Sequence, residues 1–314
     1  MALTDRLRSL LRPPAEPDQP PAPFVVGVAR SGTTLLRLML DAHPELAIPP
    51  ETHFIPKLAK AMGEIPKDAG EGEMRRRAHA VITEHRRWPD FGLDARELDR
   101  RFDRTEPFNA THALRAFYGL YAERVGKPRW GDKTPIYVEH MHEISKALPE
   151  ARLVHLIRDG RDVALSRIRR ALDDPPPVDR IARNWSRRIN AARKQARKLD
   201  HYLELRYEDL VTDTEPTLRR VCELVDLDYD PAMLDYHRNA AERLEEMAGD
   251  LPAQGGKARR PGSERLAAHA LASEPPRKER IAAWREQMSP ADAAAFDAEA
   301  GDLLDELGYP RADG

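Results

Sequence analysis

One short stretch constrains the fold more than any other. An apolar, β-branched run, Phe24–Val28, enters the loop Gly27-Val-Ala-Arg30-Ser31-Gly32-Thr33-Thr34, and a helical pattern over Leu35–Asp41 follows at once. A buried parallel strand that turns through glycines into a helix presents successive backbone N–H groups and a helix N-terminus to one point in space. That geometry suits an anion. A chain built around it is expected to be an α/β protein with its ligand at the carboxyl edge of a parallel sheet.

The loop has the spacing of a Walker A sequence, G-x-x-x-x-G-K-[S/T], but Thr33 stands where the lysine belongs. The Walker lysine reaches the β- and γ-phosphates, and the hydroxyl after it holds Mg²⁺. Without the lysine, triphosphate hydrolysis is disfavoured. Arg30, earlier in the loop, can grip a single phosphate from the side. The pattern points to a nucleotide with a 5′-phosphate and no triphosphate tail.

A second βα turn carries similar chemistry. Ala151–Ile157 reads as a strand, and Arg158-Asp-Gly-Arg-Asp162 turns the chain into a helix. Arg158 leaves the sheet on its ligand edge, Asp159 suits an N-cap, and Ser166, two turns on, can lean back towards Arg158. An arginine with a hydroxyl is a phosphate clamp. Two clamps on two βα turns suggest a nucleotide phosphorylated at two positions.

The rest of the chain fits one elaborated α/β domain. A proline-rich linker ends near Pro23, after a basic amphipathic Met1–Arg12, and residues 24–314 are expected to form a single domain. Leu46–Ile48 and Tyr202–Leu205 read as further strands. Pro128–Pro135 reads as an irregular loop, Ile136–Leu148 as one helix, and Asp162–Leu172 and Asp179–Leu199 as helices. Residues 57–128 carry heavy charge and little β signal, so they are expected to be an inserted helical cap. The region 231–314 reads as helical with a Gly/Arg-rich loop at Gly255–Ser263. The fold class expected is α/β, a P-loop-type parallel sheet flanked by helices.

Composition narrows the partners. With 51 basic and 53 acidic residues the net charge is −2, so no global field attracts nucleic acid or an anionic membrane. The single cysteine, Cys222, excludes an intramolecular disulfide and a cysteine zinc cluster, and it lies in a stretch suited to packing. No 18-residue apolar run and no signal peptide is present, so the expected compartment is the cytoplasm. His140 and His142 face different sides of a helix, and no metal site is expected.

Four blocks in order resemble the sulfotransferase family: the Gly27–Thr34 loop, Gly131-Asp-Lys133-Thr-Pro135, the Arg158–Ser166 clamp, and Leu205-Arg-Tyr207-Glu-Asp-Leu210. The likeness is nearest to the tyrosylprotein sulfotransferase branch and its bacterial relatives. It covers Phe24–Pro56 and Trp130–Tyr229, is recognisable near Pro275–Trp284 and Leu303–Tyr309, and is absent from the cap.

The resemblance implies the donor 3′-phosphoadenosine-5′-phosphosulfate and a small-molecule or peptide acceptor bearing a hydroxyl, with an amine less favoured. It assigns the 5′-phosphosulfate to Arg30, Ser31, Gly32, Thr33 and Thr34. The 3′-phosphate falls to Arg158 and Ser166, with Arg170 as a third contact, and Tyr207 touches the nucleotide. It makes Glu51 the catalytic base and Lys133 the cation that neutralises the leaving phosphate, with Arg30 beside them. His53 is the rival base; in an extended segment it points away from Glu51. Asp132 is expected to orient its loop. The family's lysine before Trp284 is Ala283 here; Lys278, Arg280 and the basic Gly255–Arg260 loop are the candidates to complete the 3′-site in its place. A P-loop kinase and a nucleotide binder without chemistry are the alternatives. Self-association, including a homodimer, stays open.

Overall fold

The computed structural model describes residues 19–66, 69–170, 176–256 and 258–312. Met1–Arg12, the linker prolines up to Pro17, Leu172 and Lys257 lie outside them. A four-stranded sheet has β1 (Ala22–Gly27), β4 (Asp132–Lys133), β5 (Ala151–Ile157) and β6 (Tyr202–Arg206) in the order β4-β1-β5-β6. Every pairing is parallel. All six residues of β1 are buried, as a central strand covered on both faces requires.

β2 (Leu46–Ala47) does not join this sheet. It pairs with β3 (Arg129–Trp130) as a separate parallel two-stranded unit. The Pro128–Pro135 segment, expected to be irregular, supplies both β3 and the edge strand β4. Two-residue strands carry no periodicity, and their strand character comes from the partner. The single helix expected over Ile136–Leu148 is a 3₁₀ turn, Pro135–Glu139, followed by the helix Met141–Ala147. The helix expected from Asp162 runs over Gly160–Ile168, and Asp159 caps it by accepting from the Arg161 N–H, as foreseen. Its long successor spans Val178–Ala196.

The cap is helical as expected: Ile55–Gly63, Glu71–Thr83, Ala95–Asp103 and Ala110–Arg124. It is not packed as a separate body. One continuous apolar core runs from Phe24 and Val26 on β1 to Phe54, Phe102 and Phe117. Phe54 and Phe117 meet edge to face at 5.0 Å, and Phe117 meets Phe91 at 4.9 Å. On another side Val25, Leu36, Leu205 and Leu218 pack together, with Cys222 buried among them. Beyond residue 231 the chain is a run of short helices and 3₁₀ turns until the long helix Pro290–Glu306.

Candidate active site

The two clamps meet because β1 and β5 are hydrogen-bonded neighbours, with Gly27 opposite Leu156. The turns that leave these strands are therefore adjacent, although Arg30 and Arg158 are far apart in sequence. Arg158 donates Nη1 to the Arg30 carbonyl at 3.4 Å. Two glycines make the loop possible. A Cβ on Gly27 would lie 2.5 Å from the Leu156 carbonyl oxygen. Gly32 has φ +93° and opens the helix Thr33–Asp41 from the left-handed region.

The loop forms one wall of a cavity of about 250 Å³. Arg30, Gly32, Thr33 and Thr34 line it, as do Glu51, Arg158, Ser166, Arg170 and Tyr207. The two clamps expected as separate sites thus share one cavity. A neighbouring cleft shares Arg158, Ser166 and Arg280 with it and runs on to Arg169 and Lys278.

Two expected pairings differ in detail. Ser166 Oγ accepts from Arg30 Nε at 3.0 Å, so its partner is Arg30 and not Arg158. Arg30 itself has φ +83°, which turns its side chain across to the second βα turn. Ser31 is not a lining residue. Its side chain is buried, its hydroxyl lacks a partner, and its N–H is spent on the Val28 carbonyl at 3.1 Å.

The cavity is strongly cationic. Burial, with Arg170, Arg280 and Arg158 nearby, lowers the Arg30 guanidinium to about 10. Asp162 stands 3.5 Å from Arg158 and offsets part of this charge. Burial raises the Asp162 carboxyl to about 6, against the pull of Arg158. Arg158 stacks over the Tyr207 ring at 4.4 Å, while its buried Nε has no partner. Tyr207 in turn packs on Gly32, where a Cβ would come within 2.4 Å of the ring.

Glu51 sits on the other side of Thr34. Its Oε1 accepts from Lys133 Nζ at 2.8 Å, and its Oε2 faces His53 Nε2 at 2.8 Å and Arg87 Nη2 at 3.3 Å. Burial alone would raise this carboxyl, but Lys133, with the His53 bond and Arg87, holds it well below the usual range. Lys133 also donates to Thr34 Oγ1 at 3.3 Å and lies beneath the cavity wall. The expectation that His53 points away from Glu51 fails. His53 has φ +57°, so the segment is turned rather than extended, and the ring folds back onto the carboxylate.

The C-terminal region contributes residues that carry no motif or periodicity to mark them. His269 Nδ1 lies 3.2 Å from Thr34 Oγ1, and the Ala268 carbonyl accepts from Arg30 Nη1 at 3.2 Å. Burial, with Lys133 next to it, lowers the His269 imidazole to about 3, so it is neutral. Arg265 anchors the segment through a buried pair with Asp90. Of the residues weighed to replace the missing lysine, Arg280 lines the cavity, and its carbonyl accepts from Arg158 Nη2 at 2.7 Å. Lys278 lines only the neighbouring cleft; in the Gly255–Arg260 loop Arg259 is paired with Asp250, while Arg260 also lines the cavity. Trp284 donates Nε1 to Asp159 at 3.1 Å beneath the Arg161 guanidinium. Among the described residues no group of three His, Cys, Asp or Glu side chains is placed to hold a metal ion, and no helix is long and apolar enough to cross a membrane.

The chain is 27% identical over 222 residues to a protein-tyrosine sulfotransferase of Drosophila melanogaster, covering 69% of this chain and 40% of that protein. It is 28% identical over 225 residues to protein-tyrosine sulfotransferase A of Caenorhabditis elegans, covering 68% and 52%. The chain thus spans about half the length of these relatives. Among solved structures, the fold resembles a sulfotransferase domain from the curacin biosynthetic pathway, with a TM-score of 0.60 at 20% identity over 94% of this chain and 100% of that one. It also resembles the sulfotransferase domain of the Synechococcus PCC 7002 olefin synthase, with a TM-score of 0.57 at 23% identity over 95% and 98%. The profile of the Sulfotransferase family matches residues 21–231, more than half of the chain, and the chain therefore belongs to that family.

Proposed function

We propose that this protein transfers a sulfuryl group from 3′-phosphoadenosine-5′-phosphosulfate to a hydroxyl acceptor, with Glu51 as the base. The observation that carries the reading is the cluster of Arg30, Arg158, Arg170 and Arg280 in the lining of one cavity. Guanidiniums held this close repel one another unless an anion joins them. A nucleotide with phosphates at both ends suits a cluster that spans two βα turns. The buried, unpartnered Nε of Arg158 is a donor left for such a ligand.

The donor supplies a sulfuryl group joined to a phosphate through a bridging oxygen. Arg30, with the Gly32–Thr34 backbone at the helix N-terminus, would hold the 5′ end. Arg158, Ser166, Arg170 and Arg280 would hold the 3′-phosphate, and the Tyr207 ring would fix Arg158 between them. The Lys133 ammonium has three N–H groups. Two serve Glu51 and Thr34, and the third is available to negative charge at the loop. Glu51 is ionised at neutral pH and can take the acceptor's proton. Residues 24–314 act as one domain in this reading, with the region after residue 231 closing the nucleotide side.

Calorimetry with 3′-phosphoadenosine-5′-phosphate, ADP and ATP, with and without Mg²⁺, tests the donor. Tight, Mg²⁺-independent binding of the bisphosphate, weakened in Arg158→Ala, is expected. Preference for ATP with Mg²⁺, or indifference to the 3′-phosphate, would overturn the reading. Sulfated product from an acceptor panel then tests the transfer itself.

A further inference from the structure

Residues 51–54 belong to no helix or strand, yet they carry the base. β4, which carries Lys133, is an edge strand with β1 as its partner in the sheet. No backbone ladder joins the two segments. Side chains do so instead. Thr134 Oγ1 accepts from the Thr52 N–H at 3.0 Å, Asp132 Oδ2 accepts from the Thr52 hydroxyl at 2.8 Å, and the Tyr137 hydroxyl accepts from the Ile55 N–H at 3.1 Å.

These bonds have a direction. Tyr137 lies 2.8 Å from Thr52 Oγ1 and can donate to it, because its own oxygen takes the Ile55 N–H. Thr52 then donates to Asp132, and Tyr118 donates to the same Oδ2 at 2.9 Å. The Thr52 and Tyr118 hydroxyls thus both end at one buried carboxylate, whose Oδ1 has no partner. A buried carboxylate is costly, and apolar packing would be cheaper. What it supplies is a fixed position.

We propose that Thr52 and Asp132 are positioning residues for Glu51, their buried hydrogen bond fixing the base against Lys133. The inference rests on the reading of Glu51 as the base. Successive side chains along an extended strand point to opposite faces. Asp132 therefore grips Thr52 on one face of β4 while Lys133 grips Glu51 on the other. The 51–52 dipeptide is held in register from both sides. His53, in a left-handed conformation that is unfavourable for a non-glycine residue, completes the turn and reaches Glu51 from the other flank. The cluster opposes relaxation of that turn.

Thr52→Val deletes the hydroxyl at constant shape, and Thr52→Ser keeps it. Two readouts separate the possibilities: sulfuryl turnover with donor affinity, and the pH titration of the Glu51 carboxyl by ¹³C NMR, assigned with Glu51→Gln. For Thr52→Val we expect kcat to fall ~10- to 100-fold, because a displacement of order 1 Å costs about that much. Affinity for 3′-phosphoadenosine-5′-phosphate stays within about twofold, since the arginine cluster is untouched. The Glu51 titration moves up by about one unit or more as the Lys133 contact loosens. Thr52→Ser stays near the parent in each. An unmoved Glu51 titration in Thr52→Val, or a Thr52→Ser variant as impaired as Thr52→Val, overturns the proposal. If Thr52→Val does not fold, Tyr137→Phe should move the titration the same way by less, and no movement overturns it. If the parent protein forms no sulfated product, the transfer reading fails, while the titration still decides whether Thr52 and Asp132 hold Glu51.

Discussion

The Lys133 ammonium stands between Glu51 Oε1, at 2.8 Å, and Thr34 Oγ1, at 3.3 Å. One buried cation thus ties the carboxylate to the phosphate loop. Each partner constrains the other. Lys133 is buried with Glu51 as its counter-charge, and Glu51 stays ionised because Lys133 is there.

Glu51→Gln should separate chemistry from binding. The amide is nearly isosteric and cannot take a proton. kcat should fall ~10²- to 10⁴-fold, the range for loss of a general base, while the Kd for 3′-phosphoadenosine-5′-phosphate changes by no more than a few-fold. Lys133→Ala should behave differently and also destabilise the fold by about 3 kcal/mol, since it leaves a buried carboxylate short of a partner. Turnover, calorimetry and denaturant midpoints on the two variants test the contrast. Equal turnover in Glu51→Gln and the parent would remove Glu51 from the chemistry.

Arg280 lies beyond the matched family segment, yet it lines the same cavity as Arg158. If it completes the 3′-site, Arg280→Ala should weaken the bisphosphate by ~10- to 100-fold, the value of one charge-assisted hydrogen bond. ADP, which lacks the 3′-phosphate, should lose far less. Lys278→Ala should leave both unchanged. Equal losses for the bisphosphate and ADP in Arg280→Ala would place its guanidinium elsewhere on the nucleotide.

Asp132 makes a prediction about stability. Burial raises its carboxyl to about 6, above the ordinary 3.8, against the pull of the Thr52 and Tyr118 hydrogen bonds. The folded state therefore holds this proton more tightly than the unfolded state does. Its contribution is most favourable below pH ~3.8 and is lost as pH rises towards 6, by on the order of 3 kcal/mol. Asp132→Asn removes that loss. The difference in Tm between variant and parent should shift in the variant's favour from pH 4 to 6.5 and then level off. A difference that is flat across this window would show that Asp132 is already ionised at pH 4.

The legible parts of the site are local in sequence. The strand, the two glycines and the helix of the phosphate loop lie within twenty residues, and so do Ala151–Ile157, Arg158 and Ser166. Local pattern could place each but not join them. The Arg30–Ser166 bond exists because β1 pairs with β5, and that choice is tertiary. β4 was hidden because two residues in a Gly-Asp-Lys-Thr-Pro turn have no period. His53 was misplaced because a left-handed histidine has no sequence signature. Ser31 matched its motif but spends its N–H inside its own turn. His269 lies in a tail without periodicity, and its place depends on Arg265 reaching Asp90 across the cap.

Gly32 shows how closely the loop and the nucleotide side are coupled, and it yields the last prediction. Its φ of +93° is strained for any residue with a Cβ, and that atom would also meet the Tyr207 ring at 2.4 Å. The ring supports Arg158 at 4.4 Å. Gly32→Ala must therefore push Tyr207 aside or distort the helix start, and either movement shifts Arg158. The backbone cost alone is roughly 1–2 kcal/mol, so Tm should drop by several degrees. Affinity for the bisphosphate should fall by more than affinity for ADP if the displaced arginine serves the 3′-phosphate as proposed. Combining Gly32→Ala with Tyr207→Ala removes the clash but not the strain. Tm should then fall by less than the sum of the two single effects. Additive losses would show that the ring and the glycine do not act on each other.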